Sequence, residues 1–235
     1  MKGRFFKLAS LIIFFTILFT SCTKEGMDLG KFYLSYGVIV GENPDYSIKL
    51  DNGTILRIEI NRVPQKVVDD GQRVLVDYTI LNDESYNPVT GGQFATQSVI
   101  INYIYDILTK NSIPSSAINT VEKSDSIGHD YINVTDSWIG SDFLNVHFEV
   151  FRESPVKIHM ISLIYDEEKS TATNKYFILR HNAFGDRRVY SSFGRVSFNI
   201  EDVIEDISVG STVNVHLEWE AYFSGSQSKT IIFKK

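Results

Sequence analysis

Period-two alternation is the feature that most limits what this chain can fold into. From Phe143 to Phe151, residues Leu144, Val146, Phe148 and Val150 fall on one side, and Asn145, His147 and Glu149 on the other. Successive side chains of an extended strand point to opposite faces, so this stretch reads as an antiparallel strand with one buried and one wet face. Val213, Val215, Leu217 and Trp219 repeat the pattern within Thr212 to Phe223. Lys157 to Tyr165 is expected as the hairpin partner of Phe143 to Phe151, which places Glu149 opposite His159. Tyr176 to Arg180, Arg195 to Ile200 and Thr230 to Phe233 read as further strands, and Asp202 to Ile207 as a short helical turn.

Earlier in the chain the strands are marked by β-branched and aromatic runs: Phe32 to Val40, Tyr46 to Leu50, Ile55 to Ile60, Arg73 to Leu81 and Ala95 to Tyr105. Asp51-Asn52-Gly53 joins the second and third as a hairpin turn, because Asn-Gly accepts positive φ at little cost. Asp70-Gly71 is a second turn. Asn82 to Gln93, with Pro88 and Gly91-Gly92, reads as a long loop. Asp106 to Lys110 reads as a single helical turn. Five strands in this space suit a small closed barrel over residues 32–110. Asn111 to Ala117, which contains Pro114, is expected to link it to a two-sheet sandwich over residues 118–235. The fold class is therefore all-β.

The beginning of the chain has a different character. Lys2, Arg4 and Lys7 precede an apolar run from Leu8 to Phe19, broken only by Ser10 and Thr16 and followed by Thr20, Ser21 and Cys22. A basic start, a short apolar stretch and small residues are the layout of a secretory signal, here residues 1–21. The run is 12 residues, shorter than the roughly 20 needed to span a bilayer. Phe19-Thr20-Ser21-Cys22 resembles a bacterial lipobox, and Cys22 is the only cysteine. We therefore expect lipid on Cys22, a short tether over residues 22–31 and an outer-membrane location, since neither Thr23 nor Lys24 is the aspartate tied to inner-membrane retention. Removing residues 1–21 takes three bases and no acid, moving the net charge from −6 to about −9. That balance argues against a nucleic-acid partner, which needs clustered Lys and Arg on one face.

Several strings in order carry a family resemblance. They are Tyr46-Ser47-Ile48-Lys49-Leu50-Asp51-Asn52-Gly53-Thr54, Asp70-Gly71-Gln72-Arg73-Val74-Leu75-Val76-Asp77-Tyr78 and Ile104-Tyr105-Asp106-Ile107-Leu108-Thr109-Lys110. In the second half they are Asp125-Ser126-Ile127-Gly128-His129-Asp130, Trp138-Ile139-Gly140-Ser141-Asp142-Phe143-Leu144-Asn145-Val146, Arg180-His181-Asn182-Ala183 and Gly194-Arg195-Val196-Ser197-Phe198. As an ordered set they resemble the NigD-like lipoproteins of Bacteroidales. The resemblance implies an OB-like N-terminal barrel followed by an immunoglobulin-like β-sandwich. The founding member lies in a bacteriocin operon, where an immunity role is inferred. The resemblance brings no catalytic residues with it.

Read residue by residue, the chain offers no catalytic constellation, and no cofactor or metal is expected. His129, His147, His159, His181 and His216 show no close ligand spacing such as H-x-H. Ser224-Gly225-Ser226 lacks the flanks of a nucleophile elbow. Arg180-His181-Asn182 ends a strand and opens a loop with Gly185-Asp186-Arg187-Arg188, read either as a functional loop or as a turn whose polar side chains satisfy backbone groups, the second being preferred. Trp138 is expected to anchor the sandwich core. Tyr33, Tyr36, Tyr46, Tyr78, Tyr103 and Tyr105 offer stacking surface or core filling. Asn52 and Asn133 match N-x-[ST], a signal with little meaning in a bacterial chain. Asp125-Ser126-Ile127 resembles the O-glycosylation triplet of exported Bacteroidetes proteins, with an ordinary loop as the equal alternative. Two functions follow. One is a lipoprotein that binds a partner without catalysis, in the manner of bacteriocin immunity; the alternative is a glycan-binding accessory lipoprotein of the envelope.

Overall fold

The computed structural model describes residues 32–82 and 95–235. The signal segment, Cys22 with its tether, and the long loop after Asn82 lie outside the described residues. Strands β1 (Phe32–Val40), β2 (Ser47–Leu50), β3 (Ile55–Asn61), β4 (Arg73–Asn82) and β5 (Thr96–Asp106) close into a barrel in the order β1-β2-β3-β5-β4. Its inside is filled by Ile39, Ile48, Leu56, Val74, Val76, Val99 and Ile101. Small barrels are packed by their own inward side chains, and closure removes the free edges.

The chain then passes to β6 (Leu108–Asn111) and β7 (Ile113–Pro114). After a 3₁₀ turn it forms a helix, Val121–Ile127, capped by the Thr120 side chain accepting from the Lys123 N–H. The remaining strands are β8 (Asn133–Gly140), β9 (Phe143–Arg152), β10 (Met160–Tyr165), β11 (Asn174–Asn182), β12 (Tyr190–Asn199), β13 (Thr212–Ala221) and β14 (Gly225–Lys234). They form a five-stranded sheet, β14-β13-β11-β10-β7, facing a four-stranded sheet, β6-β12-β9-β8. Leu144, Val146, Phe148 and Val150 all point into the space between the sheets, with Leu163, Phe177, Phe198, Val213, Val215 and Leu217. A one-residue slip of β9 would turn those four side chains outward, at about 1.5–3 kcal/mol each. That penalty fixes the register.

Four expectations change. Residues 108–111 are not a helical turn: they pair in parallel with Val196–Asn199 of β12. A helical stretch that short cannot repay its own nucleation, whereas a sheet edge supplies ready hydrogen-bond partners. Residues 111–117 are not a free linker, because β7 pairs with β10. The chain leaves the barrel at Asp106 and is part of the sandwich from Leu108. β10 is not the hairpin partner of β9; it pairs with β11 in the opposite sheet, while β9 lies between β12 and β8. Glu149 consequently meets Asn133, not His159. Finally, β8 and the helix Val121–Ile127 are additional elements, and the short helical turn expected near Asp202 is present at Glu201–Ile204.

Candidate functional site

The barrel rests on the outer face of the four-stranded sheet, and a polar network joins them. Asp51 lies in the β2–β3 turn. There Gly53 takes φ 85°, Leu50 N–H donates to Thr54 O at 2.8 Å, and Thr54 N–H donates to Asn52 Oδ1 at 3.0 Å. Arg73 opens β4 and is 1% exposed. Its Nη1 and Nη2 donate to the two carboxylate oxygens of Asp51 at 2.5 and 2.7 Å, and Nη2 also donates to Asn145 Oδ1 at 2.8 Å. Ser197 Oγ donates to the same Asn145 oxygen at 2.6 Å, and Trp138 Nε1 donates to Asp51 Oδ2 at 3.1 Å. The guanidinium also lies over the Phe143 ring at 4.9 Å. Gly140 completes the fit, since a Cβ there would stand 2.1 Å from the Asp51 carboxyl.

Beside this network the two parts leave a cleft of about 470 Å³ lined by Leu34, Tyr36, Leu75, Trp138, His147 and Arg195, among others. Tyr36 Oη and His147 Nε2 are hydrogen-bonded at 2.7 Å. The Trp138 ring meets Tyr36 and His147 edge to face, each at 5.0 Å between centroids. Two adjoining hollows, of about 480 and 150 Å³, also reach Arg195, so three depressions converge on one guanidinium. The barrel face beside them carries exposed apolar and aromatic side chains around Asp77. Strand register aligns Leu34, Asp77 and Tyr103 in one row and Tyr36, Leu75 and Tyr105 in the next. Leu34 is 60% exposed, and Phe32, Tyr103 and Tyr105 are exposed with it.

Charge in the cleft is one-sided. Asp51 is held by Arg73, Asp136 by Lys229 at 3.1 Å and Asp106 by Lys66 at 2.5 Å. Burial, and then Arg195, push the His147 imidazole below its ordinary value, so the ring is neutral at pH 7. Burial likewise raises the Tyr36 phenol, against the pull of Arg195 and Arg73. Arg195 touches the Tyr36 hydroxyl but makes no ion pair among the described residues. Among the described residues that line these hollows, Arg195 is a cation without an ion pair, set between aromatic walls. Such a site can seat an oxyanion on the guanidinium and an apolar or ring-shaped group against Trp138, Tyr36 and Tyr105.

Residues 38–107 match the NigD-like N-terminal OB domain and residues 115–234 the NigD-like C-terminal beta sandwich domain. The chain belongs to the NigD-like family. Solved structures share the fold at low identity. A Parabacteroides distasonis protein described as toxin-related has a TM-score of 0.70 at 24% identity, covering 87% of this chain and 94% of that one. A NigD-like immunity protein from Bacteroides caccae has a TM-score of 0.61 at 18% identity, covering 86% and 91%. A Bacteroides fragilis protein described as a lipoprotein has a TM-score of 0.59 at 11% identity, covering 87% and 99%. No curated protein matches the chain.

Cys22 is outside the described residues. Ser126 is exposed on a helix, not on a loop, and its hydroxyl donates to Lys123 O at 2.7 Å. Trp138 is at the junction and not in the sandwich core, because β8 register sets it opposite outward-pointing Asn145. Asn145 itself, expected on a wet face, is buried because the barrel covers it. His129 contacts Arg180 and Ser124, and His216 contacts Thr230 and Asn174 while stacking on Tyr176. Ser224 and Ser226 bond to Tyr222 O and Glu220 within the β13–β14 turn. Asn182 does satisfy backbone groups, accepting from Phe184 N–H and donating to Ser126 O. Among the described residues no group of three or more His, Cys, Asp or Glu is arranged to hold a metal. No helix among them is long and apolar enough to cross a membrane. The residues that sequence reasoning passed over are Asp51, Arg73, Asn145, Arg195 and Ser197. Their signal is weak: a polar residue within or beside an apolar strand.

Proposed function

We propose that this NigD-like chain is an outer-membrane lipoprotein, anchored through lipid on Cys22, that binds a partner without catalysis and acts as an immunity-like factor. The observation that carries this reading is the convergence of three hollows on Arg195, beside an exposed apolar face with Leu34, Tyr103 and Tyr105. An apolar area rimmed by polar groups is the usual form of a protein-binding surface, and Arg and aromatic side chains are the usual anchors. The structural likeness to an immunity protein of Bacteroides caccae and to a lipoprotein-described chain of Bacteroides fragilis supports the same direction. A membrane tether would raise the effective concentration of this face near an envelope target.

The test is genetic and biochemical. Deleting the gene should sensitise cells to a bacteriocin from a neighbouring strain, and a copy carrying Arg195→Glu should fail to restore protection although the protein accumulates normally. Unchanged sensitivity on deletion removes the immunity role. Intact mass should show acylated Cys22 in the outer-membrane fraction; a free thiol there removes the anchor. Turnover of any substrate by the purified protein would remove the non-catalytic assignment.

Aromatic lining by Tyr36, Trp138 and Tyr105 favours a second reading, a glycan-binding accessory lipoprotein. In that case deletion leaves bacteriocin sensitivity unchanged, and Trp138→Ala abolishes retention on immobilised acidic oligosaccharide.

A further inference from the structure

The end of the sandwich remote from the barrel is held by a second buried network. β9 runs from Phe143 at the junction to Arg152, a distance of about 30 Å at strand rise. At that end the loops 153–159, 183–189 and 222–224 meet. They display Val156, Ile158, Phe184, Val189 and Phe223, the last 97% exposed. Phe184 and Phe223 both take positive φ, 51° and 67°, a conformation that bulky side chains hold only where the surroundings impose it.

Beneath these loops Asp186, His159 and His181 form a line. The side chains of Asp186 and His159 are 4% and 7% exposed, and His181 is fully buried. His181 Nδ1 is 2.7 Å from the carbonyl oxygen of Tyr131. A carbonyl only accepts, so Nδ1 carries the hydrogen. Burial holds His181 below the ordinary imidazole value and hence neutral, which leaves Nε2 bare. Nε2 is 2.9 Å from His159 Nδ1, so that nitrogen must donate. The other nitrogen of His159 is 3.2 Å from Asp186 Oδ2. A neutral imidazole has one N–H, and His159 has already used it.

The missing hydrogen does not belong on Asp186. Burial opposes ionisation there, but hydrogen bonds from His159 and from the backbone N–H groups of Ser154 and Glu153 outweigh it and hold the carboxyl below the usual range. Arg187 N–H donates to the second oxygen. Asp130 and Arg188 face His181 with opposite charges, Glu153 is paired with Arg187, and Arg152 caps the carbonyls of Ser154 and Lys157.

We infer that Asp186, His159 and His181 form a buried proton-binding site that latches the 153–159 loop by holding one proton as the His159 imidazolium. The loaded site closes the loop on itself, because Asp186 Oδ2 receives Glu153 N–H, Ser154 N–H and His159 Nε2–H from the loop's two ends. With the proton gone, His159 can donate in only one of its two contacts, and the other becomes two facing acceptors, at 3.2 Å to Asp186 or 2.9 Å to His181, which loosens the latch under Val156 and Ile158.

The test is ring-nitrogen NMR on the full-length protein labelled with ¹⁵N-histidine, at about pH 7.5, a full unit above the ordinary histidine value. The expected spectrum includes an imidazolium with both nitrogens protonated that is lost in His159→Asn, and a neutral Nδ1–H ring that is lost in His181→Asn. In Asp186→Asn the carboxamide N–H₂ can itself donate to His159 Nε2, so the imidazolium signal should vanish while the Nδ1–H ring of His181 persists. A neutral His159 ring in the wild type overturns the inference, as does an imidazolium signal that survives unchanged in a folded Asp186→Asn variant. If that variant does not fold, the wild-type ring state decides alone.

Discussion

The junction and the far loop end are each organised by a carboxylate held by a cation, but the cation differs. At the junction Asp51 meets Arg73, whose guanidinium cannot lose its proton in a protein and whose fork fills both carboxylate oxygens. At the loop end Asp186 meets His159, whose charge depends on one proton. The first arrangement is permanent and joins two modules that must stay aligned. The second is conditional and holds loops whose apolar side chains face solvent. Asp51 also draws its other partners from far along the chain: Trp138 donates to it, and Asn145 and Ser197 complete Arg73. Asp186 draws mainly on backbone N–H groups, those of Glu153, Ser154 and Arg187, besides His159. Loss of one proton can therefore release the loop end, whereas the Asp51–Arg73 pair at the junction keeps its charge.

The strongest way to break this comparison is at Arg73. Arg73→Met removes the guanidinium and leaves the Asp51 carboxylate and Asn145 Oδ1 without it in a largely dry site. We expect a loss of about 3–5 kcal/mol in unfolding free energy by denaturant titration. A loss below about 1 kcal/mol, the level of an exposed pair, would mean that the network does not hold the junction.

Gly140→Ala probes the same contact through space alone. The added Cβ would overlap the Asp51 carboxyl, so we expect about 1–3 kcal/mol of destabilisation. Combined with Arg73→Met it should cost clearly less than the sum, since the two changes act on one contact. Full additivity would place the effect of Gly140→Ala elsewhere.

The smallest expected effect sharpens the contrast between the regions. The folded-state value of His181 is depressed by burial, so its contribution is complete above the ordinary value of about 6.5 and is lost as pH falls through the folded value. Asp186, also depressed, adds a further loss in the more acidic carboxylate range. Denaturation midpoints should accordingly fall as pH drops below about 6.5. His147 at the cleft, depressed in the same direction, contributes to that decline as well, so it should lessen in His181→Asn without vanishing and persist in Arg73→Met. A decline of equal slope in all three chains would separate it from the loop end.

The sequence by itself determined the strands and their inner faces. Period-two alternation is local, so Leu144, Val146, Phe148 and Val150 declared their burial before any partner was known, and Asp51-Asn52-Gly53 declared its turn. The ordered strings were enough to point to the NigD-like family. What only the tertiary structure decided was which wet faces are truly wet. Alternation sets Asn145 and His147 on the same outward face, yet the barrel buries the first and leaves the second lining a cleft. Sequence adjacency suggested that β9 and β10 pair, but the seven-residue arch between them crosses from one sheet to the other, and nothing local distinguishes an arch from a hairpin loop. The same arch brings His159 to Asp186 and His181, residues 27 and 22 positions away. Both candidate networks are made of side chains from strands and loops distant in sequence, so their chemistry exists only once long-range pairing has brought them together.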